Sequence, residues 1–138
     1  MSESPHRLLN PETLAPPLGF SHAVVAARGR TVYLGGQAGH RPDGSLAGDG
    51  LVEQFDRACA NVAEALAAAD ARPDHLVSLL ILATDVEEYR GALSELGEAY
   101  RKHLGRHYPA IALAGVAELF DPRARVELIG VAVVPDDG

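Results

Sequence analysis

Two apolar runs constrain this chain more than any other feature: HLVSLLILA at residues 75–83 and VELIGVAVV at residues 126–134. Each has the length of a strand and almost no polar interruption. Because strand side chains alternate between faces, a sheet made from these runs is apolar on both sides, and both sides need cover.

One cover comes from helices. Leu51, Phe55, Ala58, Cys59, Val62, Leu66 and Ala69 recur with helical period and form one apolar stripe, with Asp49 as the expected cap and Pro73 just past the far end. Asp85 followed by Glu88 has the form of a capping box. Beyond it Tyr89, Leu93, Leu96, Tyr100 and Leu104 make the stripe of a second helix, closed by basic residues and Gly105. SHAVVAA and TVYLGGQ predict a hairpin through RGR, where Gly29 can take a positive φ; YPAIALAGV predicts a further strand, joined to the last one through AELFDPR. GHRPDGSLAGDG, residues 39–50, reads as an irregular loop.

The order ββ-α-β-α-ββ predicts an α+β fold, a single mixed sheet with two helices on one face, since strand-helix-strand crossovers are right-handed. The opposite face then presents a larger apolar patch than a soluble monomer tolerates, so another copy of the chain is expected to cover it. The alternative cover is the N-terminal arm, residues 1–19, which holds four of the nine prolines and reads as extended.

Composition narrows the function classes. The 138 residues fit one domain, and 47% hydrophobic residues are enough for a core without staples. A net charge of -7 with no basic cluster argues against a nucleic-acid partner, which would need lysines and arginines to displace counterions. Cys59 is the lone cysteine, and the start MSESPHRLLNPETLAPP has no apolar leader core, so a cytoplasmic location is expected. No apolar run approaches the roughly 20 residues of a membrane span, so no membrane partner is expected.

Glu127 is the residue that stands out chemically. On the last strand it shares a face with Arg125, Ile129, Val131 and Val133, mostly apolar neighbours for an acid. A carboxylate buried without a partner costs several kcal/mol or is driven to bind a proton, which is the behaviour of a general acid or proton shuttle. The alternative is that it reaches solvent near the strand start, or pairs with Arg125 or Arg123. The six histidines include no pair with both the helical i, i+4 spacing and the intervening glutamate of a zinc site, and no metal is expected. His22 lies on a strand and reads either as a hydrogen-bonded structural residue or as a catalytic one. GGQAG lacks the features of a phosphate loop; it is either a strand end permitting close backbone approach or a set of N–H groups for a ligand carboxylate. Cys59 lies on the first helical stripe and reads as core.

NPETLAPPLGFSHAV, VYLGGQAG, DGLVEQFDRACANVAEALAAADA, ATDVEEYRGALSELGEAYRKHLG, YPA and VELIGVAVV follow one another over nearly the whole chain. The set resembles the Rid family, the reactive intermediate deaminases of YjgF type. The resemblance implies a single Rid-like domain over residues 1–138, a chorismate-mutase-like fold, a homotrimeric barrel, and clefts between subunits for a small-molecule ligand. It also implies hydrolysis of 2-imino or enamine acids to 2-oxo acids and ammonia, with no metal or organic cofactor. Glu127 matches the family's cleft glutamate, which positions or activates the attacking water, and Gly36 matches the glycine whose backbone lines the pocket.

Three positions depart from the deaminating pattern. Ile111 stands in place of the arginine that grips the substrate carboxylate, Phe20 in place of a frequent tyrosine, and Leu113 in place of a frequent cysteine. An apolar side chain cannot make the bidentate pair a guanidinium makes. The expectation is therefore a hydrolase for a more apolar imine, enamine or related carbonyl compound, with Glu127 catalytic and Phe20, Gly36, Ile111 and Leu113 lining the substrate site. A ligand-binding or regulatory trimer without turnover is the competing class. Ribonuclease activity, attached to some relatives, conflicts with the acidic balance and the lack of a basic stripe.

Overall fold

Strand pairing in the computed structural model, which describes residues 4–136, follows the two apolar runs. In chain order the elements are β1 (Arg7–Leu9), β2 (Ala23–Val25), β3 (Gly29–Tyr33), α1 (Leu51–Ala68), β4 (Leu76–Ala83), α2 (Val86–Gly91), α3 (Leu93–Leu104), β5 (Ala110–Gly115) and β6 (Val126–Pro135). The main sheet is ordered β3-β6-β4-β5, with β6 antiparallel to both neighbours and β4 parallel to β5. It is mixed, as the helix crossovers require.

Both long helices pack on one side of this sheet. Leu51, Phe55, Ala58, Cys59, Val62 and Leu66 of α1 are all at most 3% exposed and meet Leu79, Val126, Leu128 and Ala132 from the sheet. Full burial of each large side chain contributes about 1.5–3 kcal/mol, so this layer holds the domain together. Leu96, Tyr100 and Leu104 of α3 complete it.

The other face is open in the single chain. Register puts Tyr33, Val131, Ile129, Glu127, Leu80, Leu82, Ala112 and Ala114 there, with Tyr33 80% and Leu80 36% exposed. The arm does not supply the cover its prolines made conceivable. Instead it is tied to the turn before β4, by Ser4 Oγ donating to the Asp74 carbonyl and by His6 Nε2 against the His75 carbonyl. The first three arm residues lie outside the described residues.

Several sequence expectations need correcting. SHAVVAA and TVYLGGQ do not form a hairpin: β2 pairs with β1 in a separate two-stranded sheet, while β3 pairs with β6. Gly29 is absent from the positive-φ glycines and serves close approach, since a Cβ there would collide with the Val134 backbone. The sheet is consequently not single, the arm supplying one strand of the smaller sheet. Gly50 rather than Asp49 caps α1; with no side chain of its own it offers only its N–H, which donates to Glu53 Oε1 at 3.1 Å. The second helical stripe is broken at Ala92, whose ψ of 20° separates α2 from α3. Asp85 caps α2 by accepting from the Glu88 N–H at 3.0 Å, but the Glu88 carboxylate turns to Arg125, so only half the box forms.

Candidate functional site

The first group of expected site residues meets on the helix side of the sheet. β5 is an edge strand, and its register with Leu79 and Ile81 points Ile111 and Leu113 toward the helices. Beyond the cover of α1 they remain half-buried and line a cavity of about 500 Å³. Phe20, just after the arm, closes one side, Phe55 and Ile81 form part of the core wall, and Tyr89, Leu93, Leu96, Tyr100, Tyr108 and Arg101 come from α2, α3 and the segment before β5. The aromatic walls brace one another. Tyr100 and Tyr108 stack with centroids 5.3 Å apart, and Phe55 meets Tyr89 edge-on at 6.1 Å. Burial pushes the Tyr89 phenol up to about 12 and raises that of Tyr100 further, so both stay neutral donors at physiological pH.

The segment that delivers β5 to the cavity is pinned from below. Tyr100 Oη donates to the His107 carbonyl at 2.6 Å, Ser21 Oγ to the Tyr108 carbonyl at 2.6 Å, and the His107 ring is fully buried with Nε2 2.7 Å from the Leu76 carbonyl. These bonds set where β5 begins, and hence where Ile111 points.

Gly36 and Glu127 meet on the other side. Glu127 pairs in register with Leu82, on the open face, and is half-buried. Its carboxylate folds over Gly36, where a Cβ would collide with it. The turn carrying Gly36 is fixed by a two-way backbone bridge between Gln37 and Leu128, at 2.8 and 2.9 Å, and by Asn61 Nδ2 donating to the carbonyls of Ala38 and His40. Arg125 does not neutralise the acid. Its guanidinium donates to the Asp49 carbonyl at 2.6 Å and to Glu88 at 3.2 Å, and among the described residues Glu127 forms no ion pair. Gln54, fully buried, sets the start of β6 by accepting from the Arg125 N–H at 2.7 Å and donating to the carbonyls of Gly48 and Arg123.

Within one chain, then, Phe20, Ile111 and Leu113 come together, Gly36 and Glu127 come together, and the sheet separates the two groups. His22 joins neither. Its backbone N–H donates to Asn10 and its Nε2 lies 2.7 Å from the Ala15 carbonyl, which makes it a tether for the arm beside Phe20. Cys59 is fully buried and burial pushes its thiol far up, so it is core rather than nucleophile. Among the described residues no group of three histidine, cysteine, aspartate or glutamate side chains is placed to hold a metal ion, and no helix is long and apolar enough to cross a membrane.

A mixed sheet with both long helices on one side, and the expected site residues divided between its faces, places the chain in the α+β class. The chain belongs to the Rid family: the sequence model described as Endoribonuclease L-PSP matches residues 11–134. The 2-iminobutanoate/2-iminopropanoate deaminase of Mus musculus is 35% identical over 123 residues, covering 88% of this chain and 87% of that protein. Among solved structures, the Rid-family protein YyfB from Yersinia pestis, described as of unknown function, superposes with a TM-score of 0.84 at 31% identity, covering 94% of this chain and 98% of that one. Yeast Mmf1 gives 0.66 at 28% identity, covering 92% and 98%. At nearly equal identity the backbone follows the protein of unknown function more closely than it follows Mmf1.

Sequence reasoning missed the helical contribution to the cavity. Arg101 was absorbed into the basic helix end, and Tyr89 and Tyr100 into an apolar stripe. A usable signal was present: Gly97, in mid-helix, costs about 1 kcal/mol relative to alanine, and stands one turn before Arg101.

Proposed function

We propose that this protein is a cofactor-independent hydrolase of the imine and enamine deaminase kind. Its substrate is more apolar around the reacting carbon than a 2-imino acid, and its cleft forms between copies of the chain assembled as a trimer over the open sheet face. One observation carries the reading: Ile111, Leu113 and Phe20 face the helices while Glu127 and Gly36 lie on the opposite face. A site that uses both groups needs two copies, and the apolar face around Leu80, Ile129 and Val131 is where copies would meet.

The chemistry assigned to such a cleft is short. The Glu127 carboxylate takes a proton from water as its oxygen adds to the iminium carbon, giving a carbinolamine. Glu127 returns that proton to nitrogen, and the C–N bond breaks as Glu127 takes the hydroxyl proton, leaving a ketone or aldehyde and ammonia, which takes that proton from Glu127 to depart as ammonium. The Gly36 N–H would steady the negative charge that builds on oxygen as the hydroxyl proton leaves. Where deaminating relatives hold an arginine against the substrate carboxylate, Ile111 offers only contact area, so a carboxylate next to the reacting carbon loses its anchor there.

The test has two arms. Sedimentation at micromolar concentration should give trimers, and a monomer at those concentrations would overturn the shared cleft. Ammonia release from enzymatically generated 2-aminoacrylate is then compared with release from an imine of an aryl aldehyde, for the native chain and Glu127→Gln. Turnover of the aryl imine that depends on Glu127 is expected. Turnover of neither, with the imine still shifting the melting temperature, supports the second reading, a ligand-binding trimer, which the loss of the anchoring arginine at Ile111 favours.

A further inference from the structure

The cavity lined by Ile111 and Leu113 contains one cation, and nothing within the described chain neutralises it. Arg101 lines the cavity from α3, is half-buried, and forms no ion pair or side-chain hydrogen bond among the described residues. Its placement depends on Gly97. A Cβ at position 97 would lie 3.0 Å from Arg101 Nη1, 3.6 Å from Nη2 and 3.7 Å from Cζ, so the guanidinium lies along bare helix backbone one turn before its own Cα. Compensating the helix dipole at the C-terminal end of α3 would account for a cation there, but Lys102 already serves that end and neither role requires a glycine at 97. Arg101 also borders a depression where Arg72, Lys102 and Arg106 outnumber the one acid, Asp74, a locally positive balance on a chain of net charge -7.

We propose that Arg101 anchors an anionic group at the mouth of this cavity, so that the ligand is an aryl or branched alkyl carboxylate whose charge is separated from the reacting carbon by an apolar body. The inference rests on the reading of this cavity as the apolar half of the substrate cleft. The aromatic walls take the body by contact and stacking, and the planar guanidinium takes both carboxylate oxygens in a partly desolvated setting. Ile111 then follows as the partner change: a strand arginine would draw the carboxylate inward, whereas Ile111 with Arg101 holds the charge outside and the apolar part within.

Calorimetric titration of the full-length protein with 4-phenylbutanoate and with the neutral amide 4-phenylbutanamide reads the anchor directly. The native chain should bind the acid about 10- to 100-fold more tightly than the amide, the range expected for hydrogen bonds to a charged group. Arg101→Gln should bring the acid down to the amide's affinity and leave the amide unchanged. Arg101→Lys should keep part of the preference, Gly97→Ala should lower it a few-fold by shifting the guanidinium, and Arg106→Gln should leave it intact. Amide binding without acid preference, or a preference that survives Arg101→Gln, overturns the anchor and leaves the apolar cleft standing. Binding of neither probe at millimolar concentration overturns the cleft reading as well.

Discussion

The helix-side cavity and the Glu127 corner, the two halves of the proposed cleft, are made by different physics. The cavity is a product of side-chain packing: stacked tyrosines, an edge-on phenylalanine and the half-covered residues of an edge strand. The corner is a product of backbone geometry: a bridge between Gln37 and Leu128, an asparagine amide holding two carbonyls, and a missing Cβ. A cavity of the first kind changes its shape and ligand preference when side chains change, while a corner of the second kind places one acid in one position. That division is the one on which the proposed change of substrate depends.

The sharpest way to break the comparison is to remove the acid without touching the cavity. Glu127→Gln should lower turnover of the preferred imine by about 10²- to 10⁴-fold, the usual worth of a positioned acid-base group. Thermal stability should hardly change, because the side chain is half-buried and makes no ion pair among the described residues. Retained turnover in this variant would remove Glu127 from the chemistry.

The converse substitution attacks packing. Phe55 is 1% exposed and belongs both to the core and to the cavity wall, so Phe55→Ala should cost about 3–5 kcal/mol in a urea titration. Ligand preference should broaden as the wall recedes. A cost under about 1 kcal/mol would mean that the helix layer collapses around the gap, and that the cavity's shape is not set by the core.

These two residues also show what the sequence could and could not reveal. Phe55 was legible as core because helical period and burial are the same information, and Glu127 could be singled out, as a position and not as a function, because an acid on an apolar strand face conflicts with local chemistry. The strand faces of the main sheet and the helices on one side followed from the same periodicity. The β2–β3 hairpin was misread because a glycine between two β-rich runs signals a turn and a close backbone approach equally well; only the pairing of β3 with β6 shows that Gly29 is the latter. The cavity's cation was missed for a related reason. Arg101 near a helix end has a sufficient local explanation, and its place in the cavity lining appears only when α3 is laid beside β5.

A smaller effect separates position from presence of the acid. Gly36 is not among the positive-φ residues, so alanine is compatible with its backbone, yet the new Cβ must push the Glu127 carboxylate aside. Gly36→Ala should therefore leave the melting temperature nearly unchanged and lower turnover about tenfold, a loss of the order produced by misplacing a reacting group. Equal loss of stability and activity would show that the turn, rather than the carboxylate, yields.

Proton linkage gives the finest test of the contrast, because titratable groups support the two halves unequally. His107 and His75 lie buried under the start of β4 and the segment leading to β5, and burial holds both below the ordinary histidine range. The unfolded chain binds protons at these positions as pH falls through about 6.5, while the folded chain resists until its lower pKa is reached. Stability contributed by the neutral rings is thus complete above the unfolded pKa. It declines as pH falls toward the folded values, by at most about 1.4 kcal/mol per histidine per pH unit. The Gly36 turn is held by a backbone bridge and an amide, neither of which titrates in this window. Amide hydrogen exchange between pH 7 and 5 should therefore show the Tyr108–Leu113 segment losing protection while Gln37 and Leu128 retain theirs relative to it. His107→Gln should flatten the acid side of the stability profile if the ring's proton, and not merely its volume, sets the response. Uniform loss across both regions would mean that the halves open as one unit, and that their separation is geometric without being energetic.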